Sequence, residues 1–189
     1  MLKIGIAAHS EIKNEKHVNL ALKFVEELSD CLNRLGLKEN TYLLLGGYWG
    51  IMKVVIDKAL EKELRVAVLP PCERDSEEIF PPGVLVIRTG LSMRGRSIAM
   101  ARSSDVLVSL GGSSGTVLEI IAAYAEGIPV YILGNTGLPS DKLEVFSPFI
   151  DERRSSPITI RSSPIELVSL VCTYLETVAR KKYVLGRQL

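Results

Sequence analysis

The sequence predicts an α/β fold that is doubly wound, with a mostly parallel sheet and helices on both faces. Short runs of apolar and β-branched residues alternate with longer stretches of helical periodicity along the chain, which is the pattern of consecutive βαβ units. The connections from strand to helix at 46–50 and at 111–115 are rich in glycine. Turns of this kind lie at the carboxyl edge of a parallel sheet, where open α/β folds bind their ligands.

The composition is that of an ordinary globular protein with a sizeable core. Of the 189 residues, 47% are hydrophobic and 24% are charged, and the formal net charge is +1. This charge balance gives no sign of a nucleic-acid partner or of a polybasic membrane surface. Because the sequence has neither a membrane-spanning apolar run nor a secretory signal, we expect no membrane partner and a cytoplasmic location. We expect a single domain over 1–182 and a loose tail over 183–189.

The three cysteines are too few and too scattered to predict a disulfide framework or a zinc site. Cys31 and Cys172 fall in helical patterns, and we interpret them as packing residues. Cys72 falls in a polar loop, where it is either a reactive thiol or a plain surface residue. His9 and His17 are not spaced as a metal pair on one helix face. We therefore expect no metal site built from protein ligands.

The elements of the first half follow from hydrophobic periodicity and from helix stop signals. A long helix over 15–35 has apolar residues at three- and four-residue steps and ends at Gly36. A second helix, from the 46–50 turn to about Lys62, has one apolar face. The strands of this half are predicted over 3–8, 41–45, 65–69 and 84–87.

The second half repeats the alternation with shorter elements. The segment over 134–157 has no regular pattern, and Ser163 and Pro164 provide the start of a last helix. The other predicted elements are a helix through Ser103, a helix over 116–127, and strands over 105–110, 129–133 and 158–160, the last of them at a sheet edge.

The turn over 111–115 is predicted to bind a phosphate or another anion. The backbone N–H groups in the first turn of the following helix lack intrahelical partners, and the helix dipole favours negative charge there. Glycines let a phosphate approach the backbone, and hydroxyl groups add hydrogen-bond donors. Glu119 lies one turn into the helix, beside this site. The candidate phosphate-binding residues are Gly111, Gly112, Ser113, Ser114, Gly115 and Thr116.

The other glycine-rich turn is a second candidate for close approach of a ligand. Gly46 and Gly47 either contact the ligand or serve only the tight bend and the packing of the helix on the strand, and the sequence favours neither. The spacing is not that of a GxGxxG dinucleotide motif. Neither turn is a Walker A loop, because no Gly-Lys-Ser/Thr follows.

Arginines cluster just before the helix that precedes the phosphate turn. Arg88, Arg94 and Arg96 lie close together in the sequence. Because a guanidinium group binds phosphate bidentately, these residues indicate an anion-binding patch. Some of them are expected at the surface, and at least one is expected to be functional.

These motifs together resemble those of the LOG-type Rossmann-like proteins, often labelled possible lysine decarboxylases. The resemblance runs from the first strand to about Leu133. The family signature Pro-Gly-Gly-x-Gly-Thr-x-x-Glu is similar to the sequence from Gly111 onward. Gly115, Thr116 and Glu119 match the signature, as does Gly112, while Gly111 and Ser113 replace its Pro and its second Gly.

The upstream motifs follow the same family in the same order. Met93 and Arg96 take the Met and Arg places of the family's Met-x-x-Arg-Lys segment. The turn over 46–52 is similar to the family's Gly-Gly-Gly-x-x-Gly-Leu-Met turn. Ser97 stands in the Lys place and Arg94 in the place of the His after the Met. With these departures the chain looks closest to the branch that contains molybdenum-cofactor carrier-like proteins.

The resemblance implies an enzyme that hydrolyses the N-glycosidic bond of nucleoside 5′-monophosphates, a phosphoribohydrolase. By this resemblance Glu119 would stabilise positive charge on the ribose, hold its hydroxyls or activate water, because bond cleavage makes the sugar cationic. Arg96 would bind the phosphate or stabilise the departing base. No cofactor is required for this reaction.

The alternative is a carrier protein without catalysis. The same anion site would hold a nucleotide or a pterin phosphate such as the molybdenum cofactor, and the missing Lys at Ser97 motivates this hypothesis. A decarboxylase that uses pyridoxal phosphate is disfavoured, because no lysine lies in either glycine turn or in the arginine turn. Members of the family are commonly homodimers, and we expect the same here, with a small phosphorylated molecule as ligand.

Overall fold

The strands form one parallel sheet. The computed structural model describes residues 1–74 and 79–185. Each neighbouring pair of strands in the seven-stranded sheet is parallel. The strands are β1 (Leu2–Ala7), β2 (Thr41–Leu45), β3 (Arg65–Val68), β4 (Val84–Val86), β5 (Val106–Ser109), β6 (Val130–Leu133) and β7 (Ile158–Arg161). This confirms the predicted α/β fold, and β7 is the predicted edge strand.

The order of the strands creates a crevice in the middle of the sheet. The order is β4-β3-β2-β1-β5-β6-β7, so the chain winds outward from β1 to β4 and then returns to place β5 on the other side of β1. Where the winding reverses, the connections leave β1 and β5 in opposite directions. A crevice therefore opens outside the carboxyl ends of these strands, as in other doubly wound sheets.

Helices cover both faces of the sheet, because the strands are apolar on both sides. In β5, Val106 and Val108 belong to one core, and Leu107 between them belongs to the other. The first core lies under α1, α2 and α5, and the second lies under α3 and α4. These helices are α1 (Glu15–Arg34), α2 (Gly50–Glu61), α3 (Met93–Ser103), α4 (Ser114–Ala125) and α5 (Pro164–Leu185).

The predicted ends of the elements are corrected by a few residues. Helix α4 begins at Ser114 rather than Thr116, because Ser113 is the extended residue before the helix. Helix α5 continues to Leu185, three residues into the tail predicted over 183–189, and the rest of that tail lies outside the described residues. The irregular segment contains a 3₁₀ helix, Pro139–Phe146.

The interpretation of two cysteines as packing residues alone is also corrected. Cys31 in α1 and Cys172 in α5 are 2% and 6% exposed, and they form a disulfide bond. They are separated by 141 residues in the sequence. The two helices pack side by side on the same face of the sheet, which brings these positions together. Spacing in the sequence carries no signal of such a contact.

Two kinds of feature are absent from the part of the chain that the structure describes, namely membrane-spanning helices and clusters of metal-ligating side chains. None of the helices there is long and apolar enough to cross a membrane. The described residues also contain no group of three or more metal-ligating His, Cys, Asp or Glu side chains.

Candidate functional site

A cavity of about 300 Å³ lies in the crevice at the carboxyl edge of the sheet. Its walls come from the turn after β1, the start of α2, the segment at 72–74, and the starts of α3 and α4. The structure thus brings the two glycine-rich connections and the arginine segment to one cavity. Its volume is at the lower end of the range for small-molecule sites, about 300–1,000 Å³.

A buried ion pair lies at the floor of this cavity. Arg96 in α3 and Glu119 in α4 are 4% and 5% exposed, and Arg96 Nη1 lies 3.2 Å from Glu119 Oε1. Ser97 Oγ donates a hydrogen bond of 2.8 Å to the same carboxylate oxygen. Both bonds converge on Oε1, and among the described residues Oε2 accepts no hydrogen bond. Glu119 also lines the cavity, so its carboxylate borders the space that a ligand would fill.

Burial and charge act on Glu119 in opposite directions. Burial raises the pKa of its carboxyl above the ordinary value, because the charged form is poorly solvated. The Arg96 guanidinium, the Ser97 hydroxyl and the charge of Arg94 pull that pKa back down. A buried carboxylate whose pKa is shifted by burial and by adjacent cations is common in functional sites.

The start of α4 forms another wall of the cavity. Ser113 precedes the helix, and Ser114 and Gly115 begin it. All three line the cavity together with the buried Thr116. The first N–H groups of an α-helix have no intrahelical acceptor, so this wall presents backbone donors. A methyl group added at Gly115 would lie 3.7 Å from Arg94 Nη1, which shows that this guanidinium sits over the helix start.

His9, in the turn after β1, also lines this cavity, and the sequence gives no motif that predicts it there. Its Nε2 lies 3.0 Å from Ser113 Oγ, and its Nδ1 lies 2.9 Å from the backbone nitrogen of Glu11. Because a backbone N–H only donates, Nδ1 is the acceptor, and in the neutral ring Nε2 carries the proton. His9 therefore donates to Ser113 Oγ, and the Ser113 hydroxyl keeps its own proton for another acceptor. Burial, and then Lys13, lower the pKa of His9, which favours this neutral form.

The glycines predicted to contact a ligand pack mainly against the protein itself. A side chain at Gly46 would overlap the guanidinium of Arg96, and one at Gly47 would overlap the ring of Trp49. Gly112 is close against Thr116, and its N–H donates to Ser140 Oγ at 3.0 Å. These glycines shape the cavity from behind, and direct contact with a ligand stays a prediction for them.

Gly111 plays a similar part in the second turn. Its φ is +93°, a conformation that residues with side chains rarely adopt, and an added side chain would meet Thr136. Its N–H donates to Ser109 Oγ at 3.4 Å. Gly111 therefore sets the direction in which the chain leaves β5 for α4.

Two further residues of the cavity contact each other, and no motif in the sequence predicts this contact. Trp49, just before α2, and Arg74 line the cavity, and the Arg74 guanidinium lies 4.6 Å from the centre of the Trp49 ring. Glu73 accepts the Met93 N–H at the start of α3, at 3.0 Å to Oε2. This bond fixes the segment at 72–74 beside the cavity. Cys72 in the same segment is exposed, and its thiol lies 3.6 Å from Glu73 Oε2.

Comparisons with known proteins agree with this architecture. A model of the SLOG cluster4 family matches residues 1–167. A protein of Archaeoglobus fulgidus, described as uncharacterized, is 27% identical over 128 residues, which are 67% of this chain and 76% of that protein. The solved structure of a protein designated TM1055 has a TM-score of 0.76 and 27% identity, and the match covers 90% of this chain and 98% of that one.

A further solved structure has a ligand in its name. The molybdenum cofactor binding protein from Rippkaea orientalis has a TM-score of 0.71 and 22% identity, over 92% of this chain and 97% of its own. At this identity the likeness shows the fold. The family match confirms the LOG-like resemblance that the motifs predict.

Proposed function

Because this chain belongs to the SLOG cluster4 family, we propose that it binds a phosphorylated, nucleotide-like small molecule in the cavity at the start of α4. One observation carries the proposal. The backbone donors of a helix start, the hydroxyls of Ser113 and Ser114 and the guanidinium of Arg94 all face the same cavity. A dianionic phosphate matches this set of donors, since it accepts several hydrogen bonds at once and is favoured by the helix dipole.

Arg94, rather than Arg96, is the arginine that we assign to the phosphate. Arg94 is exposed and lies over the helix start, whereas Arg96 is buried against Glu119. Ser113 supports the same role, because its oxygen accepts from His9 while its proton stays available to the phosphate. Gly115 leaves the adjacent backbone open.

We propose further that the bound ligand is a nucleoside 5′-monophosphate and that its N-glycosidic bond is hydrolysed. Water gives its hydroxyl group to C1′ of the ribose while the bond to the base breaks, the base nitrogen takes up the remaining proton, and free base and ribose 5-phosphate leave. The sugar becomes cationic as this bond breaks. Glu119 Oε2 is the group assigned to stabilise that charge or to accept the proton of water. Arg96 and Ser97 hold the carboxylate in position through Oε1.

The test is a screen of nucleoside 5′-monophosphates for release of free base, with the parent protein and Glu119→Gln run together. Glutamine keeps an oxygen for Arg96 and Ser97 but loses the charge. Turnover should fall by a factor on the order of 10²–10⁴ if Glu119 acts as proposed. Binding of the intact nucleotide, measured by calorimetry, should change far less.

The matched control is Glu126→Gln at the other end of α4. Glu126 is exposed and lies 3.6 Å from Arg102, outside the cavity. This variant should turn over like the parent protein, and thermal unfolding should show that both variants are folded. Equal turnover by Glu119→Gln and the parent protein would contradict the hydrolytic mechanism and leave the binding proposal standing. Failure of every tested monophosphate to bind would contradict the binding proposal.

The second candidate function is a carrier without catalysis, and the position of Ser97 favours it. Ser97 occupies the position at which the family's enzymes have a lysine, and its hydroxyl donates a hydrogen bond of 2.8 Å to Glu119. A neutral group therefore lies beside the carboxylate. The part of the cavity formed by Ser113, Ser114, Gly115 and Arg94, here named the phosphate wall, would then hold its ligand as cargo. That ligand would be an intact nucleotide or a pterin phosphate such as the molybdenum cofactor. Mass spectrometry of the ligand that co-purifies with the protein, together with no base release from any monophosphate, would support the carrier. Release of free base would exclude it as the sole function.

Assembly and location stay predictions. A homodimer is expected, and a mass measurement in solution tests it. The cytoplasmic location predicted from the sequence is tested by fractionating the native cells.

A further inference from the structure

We propose that the indole of Trp49 is the stacking surface for the planar ring of the ligand. Trp49 follows β2 and the phosphate wall follows β5, and these two strands lie on opposite sides of β1. This inference rests on the proposed binding of a phosphorylated ligand at α4. It adds the residue that binds the planar half of the ligand, a flat aromatic heterocycle such as a nucleobase.

The ring of Trp49 is held flat by the backbone beneath it. A side chain at Gly47 would overlap the indole, so the absence of one lets the ring lie against the turn after β2. The residue is partly exposed, and it packs against the core under α2 while lining the cavity. One face of the ring therefore packs against the backbone at Gly47, and the Arg74 guanidinium lies over the other face.

Arg74 marks the place that a planar group takes on this ring. Its guanidinium lies 4.6 Å from the ring centre, in a cation–π contact. A guanidinium and a nucleobase are both flat and both stack on indole. Arg74 is exposed and belongs to a short segment fixed through its neighbour Glu73, so its side chain can leave the ring without disturbing the core.

The other residues at this side of the cavity suit an aromatic ring. Met52, three residues after Trp49, and Met93, whose N–H donates to Glu73 beside Arg74, also line the cavity. Thioether side chains adapt their shape and make favourable contacts with aromatic rings. The cavity is thus lined by an aromatic ring and thioether groups, by the phosphate wall at α4 and by Glu119. A nucleotide has parts that match these groups, namely a ring, a ribose and a phosphate.

The chain provides its own reporter for the experiment, because Trp49 is the single tryptophan. Tryptophan fluorescence is titrated with AMP, with adenosine, which has the ring and no phosphate, and with ribose 5-phosphate, which has the phosphate and no ring. Calorimetry measures binding in parallel. We expect AMP and adenosine to quench the fluorescence, and ribose 5-phosphate to bind without quenching it.

Variants of Trp49 separate stacking from simple proximity. Trp49→Leu should weaken AMP binding by about 5- to 150-fold, the equivalent of one base–aromatic stack, and leave ribose 5-phosphate binding unchanged. Trp49→Phe, which keeps an aromatic face, should restore most of the loss. AMP should still quench the tryptophan fluorescence of Arg74→Ala, because the base stacks on the Trp49 ring and not on the guanidinium.

The outcomes distinguish this inference from the proposed function. Equal AMP affinity in Trp49→Leu and the parent protein, with no quenching by AMP or adenosine, would overturn the stacking site while ribose 5-phosphate binding keeps the phosphate site. Quenching by adenosine with no binding of ribose 5-phosphate would support the stacking site and overturn the phosphate site. Loss of quenching in Arg74→Ala would overturn the placement of the ring on Trp49.

Discussion

The two glycine-rich turns occupy equivalent places in the fold and do different work. Each follows a central strand, β2 or β5, and each leads into a helix at the same edge of the sheet. In the first turn, Gly46 and Gly47 make room for the protein's own Arg96 and Trp49. In the second turn, a methyl group added at Gly115 would meet only the Arg94 guanidinium, at 3.7 Å, and two hydroxyl groups line the cavity beside it.

This difference teaches that glycine at such a turn is not by itself a sign of ligand contact. In the first turn the missing side chains make room for two side chains that line the cavity, those of Arg96 and Trp49. In the second turn the missing side chain at Gly115 leaves backbone donors accessible. The contrast predicts that substitutions at Gly46 and Gly47 act mainly on stability, and that substitutions at the start of α4 act mainly on binding.

The largest effect is expected for Gly46→Ala. The added methyl group overlaps the Arg96 guanidinium and pushes it away from Glu119, which leaves a buried charge with a displaced partner. Disrupting a buried ion pair costs about 3–5 kcal/mol, and chemical denaturation should show a loss of this size in the free energy of unfolding. The control, Gly115→Ala, should leave that free energy unchanged or raise it by up to about 1 kcal/mol. Similar losses in both variants would break the comparison.

The next effect is expected for Arg94→Ala, on binding rather than stability. Arg94 is exposed over the start of α4, and a hydrogen bond to a charged group contributes about 1.5–3 kcal/mol. AMP affinity should therefore fall by about 10- to 150-fold, measured by calorimetry, because 1.4 kcal/mol corresponds to a factor of ten. Arg102→Ala, at the exposed end of α3, the helix that contains Arg94, is the control and should bind AMP normally. An unchanged affinity in Arg94→Ala would contradict the placement of the phosphate at the second turn.

The smallest effect is a pH dependence that only the second turn should have, through His9. The pKa of His9 is below its ordinary value of 6.5, so on acidification the unfolded chain takes up its proton first. This contribution to stability is complete above about pH 6.5 and is lost as the pH falls through the folded pKa. The free energy of unfolding, compared between about pH 7.5 and pH 5.5, should fall more steeply in the parent protein than in His9→Asn. Equal slopes would show that His9 adds no pH-dependent contact to this turn.

Much of the fold was predictable because its signals are local. Buried parallel strands appear as apolar runs, and α1 appears as a repeating stripe that ends near a glycine. Glu119 and Arg96 stood out because their motifs are short and continuous. The structure adds that these two residues contact each other across α3 and α4.

The remaining site contacts were not predictable because they join distant parts of the chain. His9 meets Ser113 only because β1 and β5 are neighbours in the sheet, an arrangement set by strand order and not by local sequence. Trp49 and Arg74 meet because β2 and β3 end side by side. An exposed arginine such as Arg94 has the same local pattern whether it binds phosphate or only solvent.

The bond between Cys31 and Cys172 gives the chain a covalent ring that contains both turns and all strands except β1. A single cut by a protease anywhere inside this ring therefore leaves one molecule, because the fragments stay joined through sulfur. The cut becomes visible as two pieces on a denaturing gel only after reduction. While the bond is intact, losing any part of the cavity wall that lies within the ring takes at least two cuts.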